Sequence, residues 1–293
     1  MCNKLINLNW KKLVILVLCL ISYNFVVVSE LFANISLKSE KLTSNENYEF
    51  VDIEILAGKK NNKNNSKFLG GIKVTLLPEW KIYWKNPGDA GLPPSISLEN
   101  GNNIKSINLL FPSPTRFNFY DIETLGYENE VIFPIEIQVL DSNIPLSGQL
   151  IFDAQVCSKI CVPIKKIFNL TSLDNKYKNI NLLNFNKINK YLLKIPLLSK
   201  DNKLELLSSN FQNNVLNVIL SNKNNFKPYD IIIEDSKSRI YQKPNFYTKN
   251  SLMYISLNID QIDEGYLSDL KFNYTFIGDK YSLEKKDIPI NIT

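Results

Sequence analysis

Ser147 to Leu173 reads SGQLIFDAQVCSKICVPIKKIFNLTSL. Two runs, SGQLIFDAQV (147–156) and KKIFNLTSL (165–173), flank the cysteines Cys157 and Cys161. Both have the short, apolar and β-branched texture of strands. Residues four apart on an extended strand lie about 13 Å apart. Cysteines joined by a disulfide usually have Cα atoms roughly 4.4–6.8 Å apart. If the two cysteines pair, Ser158, Lys159 and Ile160 must turn the chain back, which predicts a hairpin with the pair at its tip.

The strand texture extends in both directions. YEFVDIEIL (48–56) alternates apolar and polar residues, and FLGGIKVTLLPEWKIYW (68–84) resumes the pattern after the polar loop NNKNNSK (61–67). IKSINLLFPSP (104–114) and VIFPIEIQVL (131–140) add further short strands, and Gly126, Tyr127 and Glu128 are expected to begin one. KNPGDAGLPPSISL (85–98), dense in Pro and Gly, reads as a structured loop leading into another strand. Short strands separated by turns, with no long helical pattern among them, predict a β-sandwich.

Between 175 and 200 the texture changes. NFNKINKYLLKIP (184–196) sets Phe185, Ile188, Leu192 and Ile195 at helical spacing and stops at Pro196. Beyond it, NVLNVILS, YDIIIED, SLMYISLNI and LKFNYTFIG are again short strands with polar turns. The expected organisation is all-β: a sandwich over 34–174, a short and partly helical linker over 175–199, and a second sandwich over 200–293. No metal cluster or phosphate loop is legible in the second half, which reads as a packing or docking module.

The N-terminus bears on the compartment. MCNKLINLNWKK (1–12) carries Lys4, Lys11 and Lys12 and no acid, and LVILVLCLISYNFVVV (13–28) carries no charge. A small residue, Ala33, follows. Residues 1–33 therefore read as a secretory signal, with an uncleaved anchor as the alternative. Leu18 before Cys19 is too large for a lipoprotein site. No later segment has the roughly 18 uninterrupted apolar residues of a membrane span. The mature protein is expected to be exported and soluble.

Composition excludes several classes of function. The formal net charge is +5, and three of the lysines behind it lie in the signal. No Arg-rich stripe is present, which argues against nucleic acid as a partner. The chain has no histidine, so Ser-His and Cys-His nucleophilic sites and His-containing metal sites are absent. Signal removal discards Cys2 and Cys19, and two thiolates cannot fill a four-ligand zinc site. Three readings of Cys157 and Cys161 stay open: a redox pair, a structural staple, or two-coordinate Cu(I). A five-residue loop gives a disulfide only about 2 kcal/mol of chain-entropy stabilisation, against about 4.7 for a 100-residue loop. That weakens the staple.

A resemblance adds to this reading. WKIYWKNPGDAGLPPSISL (80–98), FPSPTRF (111–117), LGYENEVIFPIEI (125–137) and CSKICVPIKKIF (157–168) occur in that order. Together they resemble the N-terminal periplasmic domain family of the thiol:disulfide interchange protein DsbD. The likeness is nearest the branch in suppressor-of-copper-sensitivity-type membrane reductases. The resemblance implies an immunoglobulin-like sandwich in the periplasm, with no cofactor beyond a redox-active Cys157–Cys161 disulfide. It implies electrons taken from a membrane thiol donor and passed to thioredoxin-like or cytochrome c maturation proteins. The full reductases carry a multi-helix membrane domain and a thioredoxin-like domain, and this sequence shows neither. The donor is therefore expected to be a separate protein. The alternative is a non-catalytic binding module with a structural disulfide.

The remaining motif residues each have two readings. Tyr83 and Trp84 either shield the pair or are core aromatics, and on a regular strand at most one of them faces the cysteines. Asp89 is a polar group near the thiols or a local turn former. Tyr127 is a candidate corner tyrosine and Glu128 a candidate acid near the site. Lys159 is a cation that favours a thiolate or a solvated turn residue.

Overall fold

Alternation along one strand sets the layers. In β8 (Glu130–Val139) the residues Val131, Phe133, Ile135, Ile137 and Val139 enter one core, while Ile132 on the opposite face is buried in a separate cluster. The computed structural model describes residues 48–60, 67–119, 122–171, 182–199, 204–259 and 270–292. The expected signal over 1–33 lies outside the described residues.

Strand β8 sits inside a sheet ordered β1 (Val51–Lys60), β2 (Lys67–Leu76), β8, β5 (Ile104–Leu109). The facing sheet runs β10 (Cys161–Asn169), β9 (Ser147–Cys157), β3 (Lys81–Gly88), β7 (Ile122–Glu128), β6 (Thr115–Phe119). Strand β4 (Ser95–Asn102) also pairs with β9, further along it than β3 does. Ile72, Val74, Ile82, Trp84, Leu125, Phe152 and Val156 fill the space between these sheets.

Two further sheets enclose a second core of Phe211, Val218, Ile231, Ile233, Ile255, Tyr274 and Phe276. One is ordered β11 (Leu197–Leu198), β18 (Leu283–Pro289), β17 (Lys271–Gly278), β14 (Pro228–Asp235). The other is ordered β15 (Asn245–Lys249), β16 (Leu252–Asn258), β13 (Val215–Ser221), β12 (Glu205–Gln212), β19 (Asn291–Ile292). The chain is thus all-β in class, with immunoglobulin-like sandwiches built from mainly antiparallel sheets, in which the short strands β11 and β19 pair in parallel, as the spacing and the resemblance predict. No helix among the described residues is long and apolar enough to cross a membrane.

Gly126, Tyr127 and Glu128 end β7 instead of beginning a strand. The break falls one residue later, where Asn129 adopts a left-handed backbone with φ of 62°. Asn and Gly tolerate that conformation best, and there the chain leaves one sheet for the other.

The amphipathic segment forms α1 (Leu182–Leu192). It lies on the outer face of the first sheet, where Ile188 packs against Leu56, Ile132 and Leu69. Glycine makes room for it: a Cβ on Gly71 would meet Ile132 Cγ2 at 2.8 Å and Ile188 Cγ1 at 3.0 Å. Tyr191 Oη donates to the Glu130 carbonyl at 3.1 Å and secures the last turn.

The two sandwiches meet across the outer face of β14, β17 and β18. Ile232 and Ile277 turn away from their own core and join that of the first sandwich. Around them the contact is polar and charged. Arg116 on β6 pairs with Glu123 and reaches Asp230 at 3.1 Å and the Ile231 carbonyl at 3.1 Å. Lys85 Nζ lies 2.6 Å from Glu284, and Asn86 Nδ2 donates to the Ser238 carbonyl at 3.0 Å. Arg116 and Asp230 are both nearly removed from solvent. Breaking such a pair costs about 3–5 kcal/mol, because one buried charge is left uncompensated.

Glu234 is less well served at this junction. Its Oε2 is buried without a hydrogen-bond partner. Burial raises its pKa above 4.5, with Lys85 pulling the other way.

Two outcomes follow from this packing. Gly71→Ala should force Ile132 and Ile188 apart and lower stability by about 1–3 kcal/mol, measured by urea denaturation. A carboxyl with a raised folded-state pKa contributes stability that is full below its unfolded value and lost as pH rises through the folded value. Glu234→Gln should therefore stabilise the protein at pH 7, with a smaller gain at pH 4. An equal shift of the urea midpoint at both pH values would contradict the burial argument.

Candidate functional site

The predicted hairpin forms. In the β9–β10 ladder Cys157 stands opposite Cys161, Val156 opposite Val162 and Gln155 opposite Pro163. The cysteines are joined by a disulfide, with their Cα atoms 4.1 Å apart. Ser158, Lys159 and Ile160 make the turn, in which the Ser158 N–H donates to the Ile160 carbonyl at 3.0 Å. The two sulfur-bearing residues differ in access. Cys157 is 6% exposed, whereas Cys161 is exposed to solvent.

Register assigns the neighbouring residues to faces. Val156 pairs with Ile82 on β3, and Ile82 with Tyr127 on β7. All three enter the core. The next residue on each strand therefore points outward. Cys157 pairs with Lys81, and Lys81 with Glu128. One row on the outer face reads Cys161, Cys157, Lys81, Glu128.

This parity separates the two aromatic candidates. Tyr83 lies on the outer face with the disulfide, two residues beyond Lys81. Trp84 is fully buried in the core, on the other face. Tyr83 is covered by the loop after β3, where Gly91 (φ 98°) has no room for a side chain: a Cβ there would lie 2.3 Å from the ring. Burial raises the Tyr83 pKa, so its hydroxyl stays protonated at neutral pH.

Asp89 anchors that loop. Its Oδ2 accepts from the Glu123 N–H at 2.8 Å, and its own N–H donates to the Glu123 carbonyl at 2.9 Å. Tyr127 Oη donates to the Pro112 carbonyl at 2.6 Å inside the sandwich, and burial drives its pKa well above 10. Glu128 is exposed at the far end of the cysteine row, and Lys159 is exposed at the hairpin tip. The structure thus brings Cys157, Cys161, Tyr83 and Glu128 to one face, with Lys159 exposed in the turn beside the cysteines. It ties Asp89 to the backbone of β7 and places Trp84 and Tyr127 inside.

Lys81 is the neighbour that sequence reading missed. Nothing in WKIYW marks it, because its closeness to Cys157 arises from pairing between strands some 75 residues apart in sequence. Among the described residues, no group of three or more His, Cys, Asp or Glu side chains is placed to hold a metal ion.

Tyr127→Phe should leave the Pro112 carbonyl without its buried partner. The expected loss is about 1–3 kcal/mol of stability, with the Cys157–Cys161 disulfide still formed. Urea denaturation together with a thiol count on the unfolded protein checks both parts.

Residues 54–172 match the family described as thiol:disulfide interchange protein DsbD, N-terminal. Among solved structures, the N-terminal periplasmic domain of ScsB from Proteus mirabilis aligns with a TM-score of 0.63 at 21% identity. That alignment covers 84% of this chain and 97% of the other, and the likeness is one of fold. The reduced N-terminal domain of DsbD from Neisseria meningitidis aligns with a TM-score of 0.26 at 11% identity, covering 47% and 90%. Comparison with curated proteins yields no match. The family match and the fold together support a DsbD N-terminal-like domain over residues 54–172.

Proposed function

We propose that this protein is a periplasmic thiol–disulfide exchange protein that relays electrons through Cys157 and Cys161. One observation carries the reading: the disulfide sits at a hairpin tip with one cysteine exposed and the other buried. In the reduced protein, the exposed Cys161 thiolate attacks a partner disulfide, forms a mixed disulfide and releases one partner thiolate. The Cys157 thiolate then attacks Cys161 Sγ, closes the Cys157–Cys161 bond and releases the second partner thiolate. Two electrons leave the pair for the partner, and the protons pass through solvent.

Ladder geometry supports this over a staple. Nine residue pairs already align β9 with β10, so a bond across the five-residue turn constrains little that the sheet does not. On this reading a membrane thiol protein re-reduces the pair. The clients are thioredoxin-like or cytochrome c maturation proteins, and an N-terminal signal delivers the chain to the periplasm.

Trapping tests the relay. Cys157→Ser leaves the exposed thiol without its resolving partner and should accumulate mixed disulfides with periplasmic proteins. Cys161→Ser should trap far fewer, because the remaining thiol is buried. A reduction potential between about −120 and −270 mV fits an exchange protein. A potential below about −300 mV, with no trapped complex from either variant, would establish the staple instead.

A further inference from the structure

Exchange makes opposite demands on Cys157. Its residue is 6% exposed, and burial disfavours a thiolate. Yet the resolving step needs Cys157 as a thiolate, since only that form attacks Cys161 Sγ. Some nearby positive charge has to offset the burial.

The ladder places one. Cys157 is flanked by Cys161 on β10 and by Lys81 on β3, and Lys81 is flanked in turn by Glu128 on β7. Directly opposed residues project from the same face with Cβ atoms about 4.5–5.5 Å apart. The other charged and titratable groups nearby are less suited. Lys159 in the turn and Lys165 on β10 are exposed, where solvent screens their charge. Asp153 lies four residues along β9, about 13 Å away. Tyr83, on β3, is a neutral phenol.

With the disulfide closed, the Lys81 ammonium rests over the Phe117 ring, 4.2 Å from its centroid. A disulfide carries no charge to hold the ammonium, and the ring face takes its place. Reduction creates a charge at Cys157, one strand away from the base of a flexible four-carbon stem.

We propose that Lys81 is the electrostatic partner of the Cys157 thiolate and sets the rate of the resolving step, with Glu128 tempering its charge. The inference rests on the exchange reading above and assigns the residue that makes its buried half work. In the closed form Lys81 is parked on Phe117. In the reduced form and in the mixed disulfide it pairs with Cys157.

The test separates the two sulfurs with 5,5′-dithiobis(2-nitrobenzoate). The full chain carries Cys2→Ser and Cys19→Ser, so that only the pair reacts. Cys161 attacks the reagent and releases a first nitrothiobenzoate. Cys157 then attacks Cys161 Sγ and releases the second, so the pH profile of the second phase reports ionisation of Cys157. Lys81→Met should move that midpoint up by about one pH unit and slow the second phase about tenfold below it, leaving the first phase unchanged. Lys81→Arg keeps the charge and should stay close to the parent chain. Glu128→Gln should move the midpoint down. An unmoved second-phase midpoint in Lys81→Met overturns the proposal, and so does an equal shift of both phases, which would reflect only general surface charge. The exchange reading fails separately, on the reduction potential and on trapping by the Cys157→Ser and Cys161→Ser variants with Lys81 intact, neither of which uses this reagent.

Discussion

Strand β3 has to satisfy four neighbours, and its two-residue period lets it do so. Lys81 and Tyr83 turn to the outer face, beside the cysteine row and under the Gly91 loop. Ile82 and Trp84 turn into the core. Beyond Tyr83 the register with β7 breaks, and pairing resumes only where Gly88 meets Thr124. The residues released by that break include Lys85 and Asn86, which reach the second sandwich. A one-residue slip would exchange the faces of every side chain. Lys81 would enter the core and Trp84 would face solvent. The burial of Ile82 and Trp84 therefore holds the register that sets a cation beside a cysteine.

The second sandwich contributes to the same arrangement from its outer face. It presents Asp230, Glu234 and Glu284 on strands whose other side fills an ordinary apolar core. Those acids meet Arg116 and Lys85, and Arg116 also holds Glu123, the residue whose backbone pairs with Asp89. The loop that covers Tyr83 is thus braced at Asp89 through β7, and β7 is clasped to β14. Buried ion pairs of this kind add little net stability against apolar packing, but they penalise misalignment strongly. Their expected effect is to fix how the sandwiches meet.

The disulfide sits where the ladder already brings its two halves together. Its mechanical contribution is small, and its chemical asymmetry is large. The turn leaves Cys161 in solvent, and the sheet covers Cys157. The proposed exchange would use that division: one sulfur for the partner to meet, and one held back to release it.

Much of this was legible in the amino-acid order. Alternation gave the strands, because a half-buried strand must repeat every two residues. Spacing around Ile188 gave α1, and the turn between Cys157 and Cys161 followed from the reach of an extended chain. The motifs from Trp80 to Phe168 pointed to the interchange family. Parity along KIYW showed that Tyr83 and Trp84 must part, but not which of them joins the cysteines. That choice depends on β3 pairing with β9 and β7, and pairing between distant strands leaves no local mark on either one. Lys81 beside Cys157, Arg116 between two sandwiches, and Asn129 closing β7 where the sequence suggested an opening are all of this kind. The sequence by itself determined the strands, the turn and the chemistry available at its tip. Only the tertiary structure decided which side chains share a face with the sulfurs, because that depends on register, and register is settled by burial of the whole sheet.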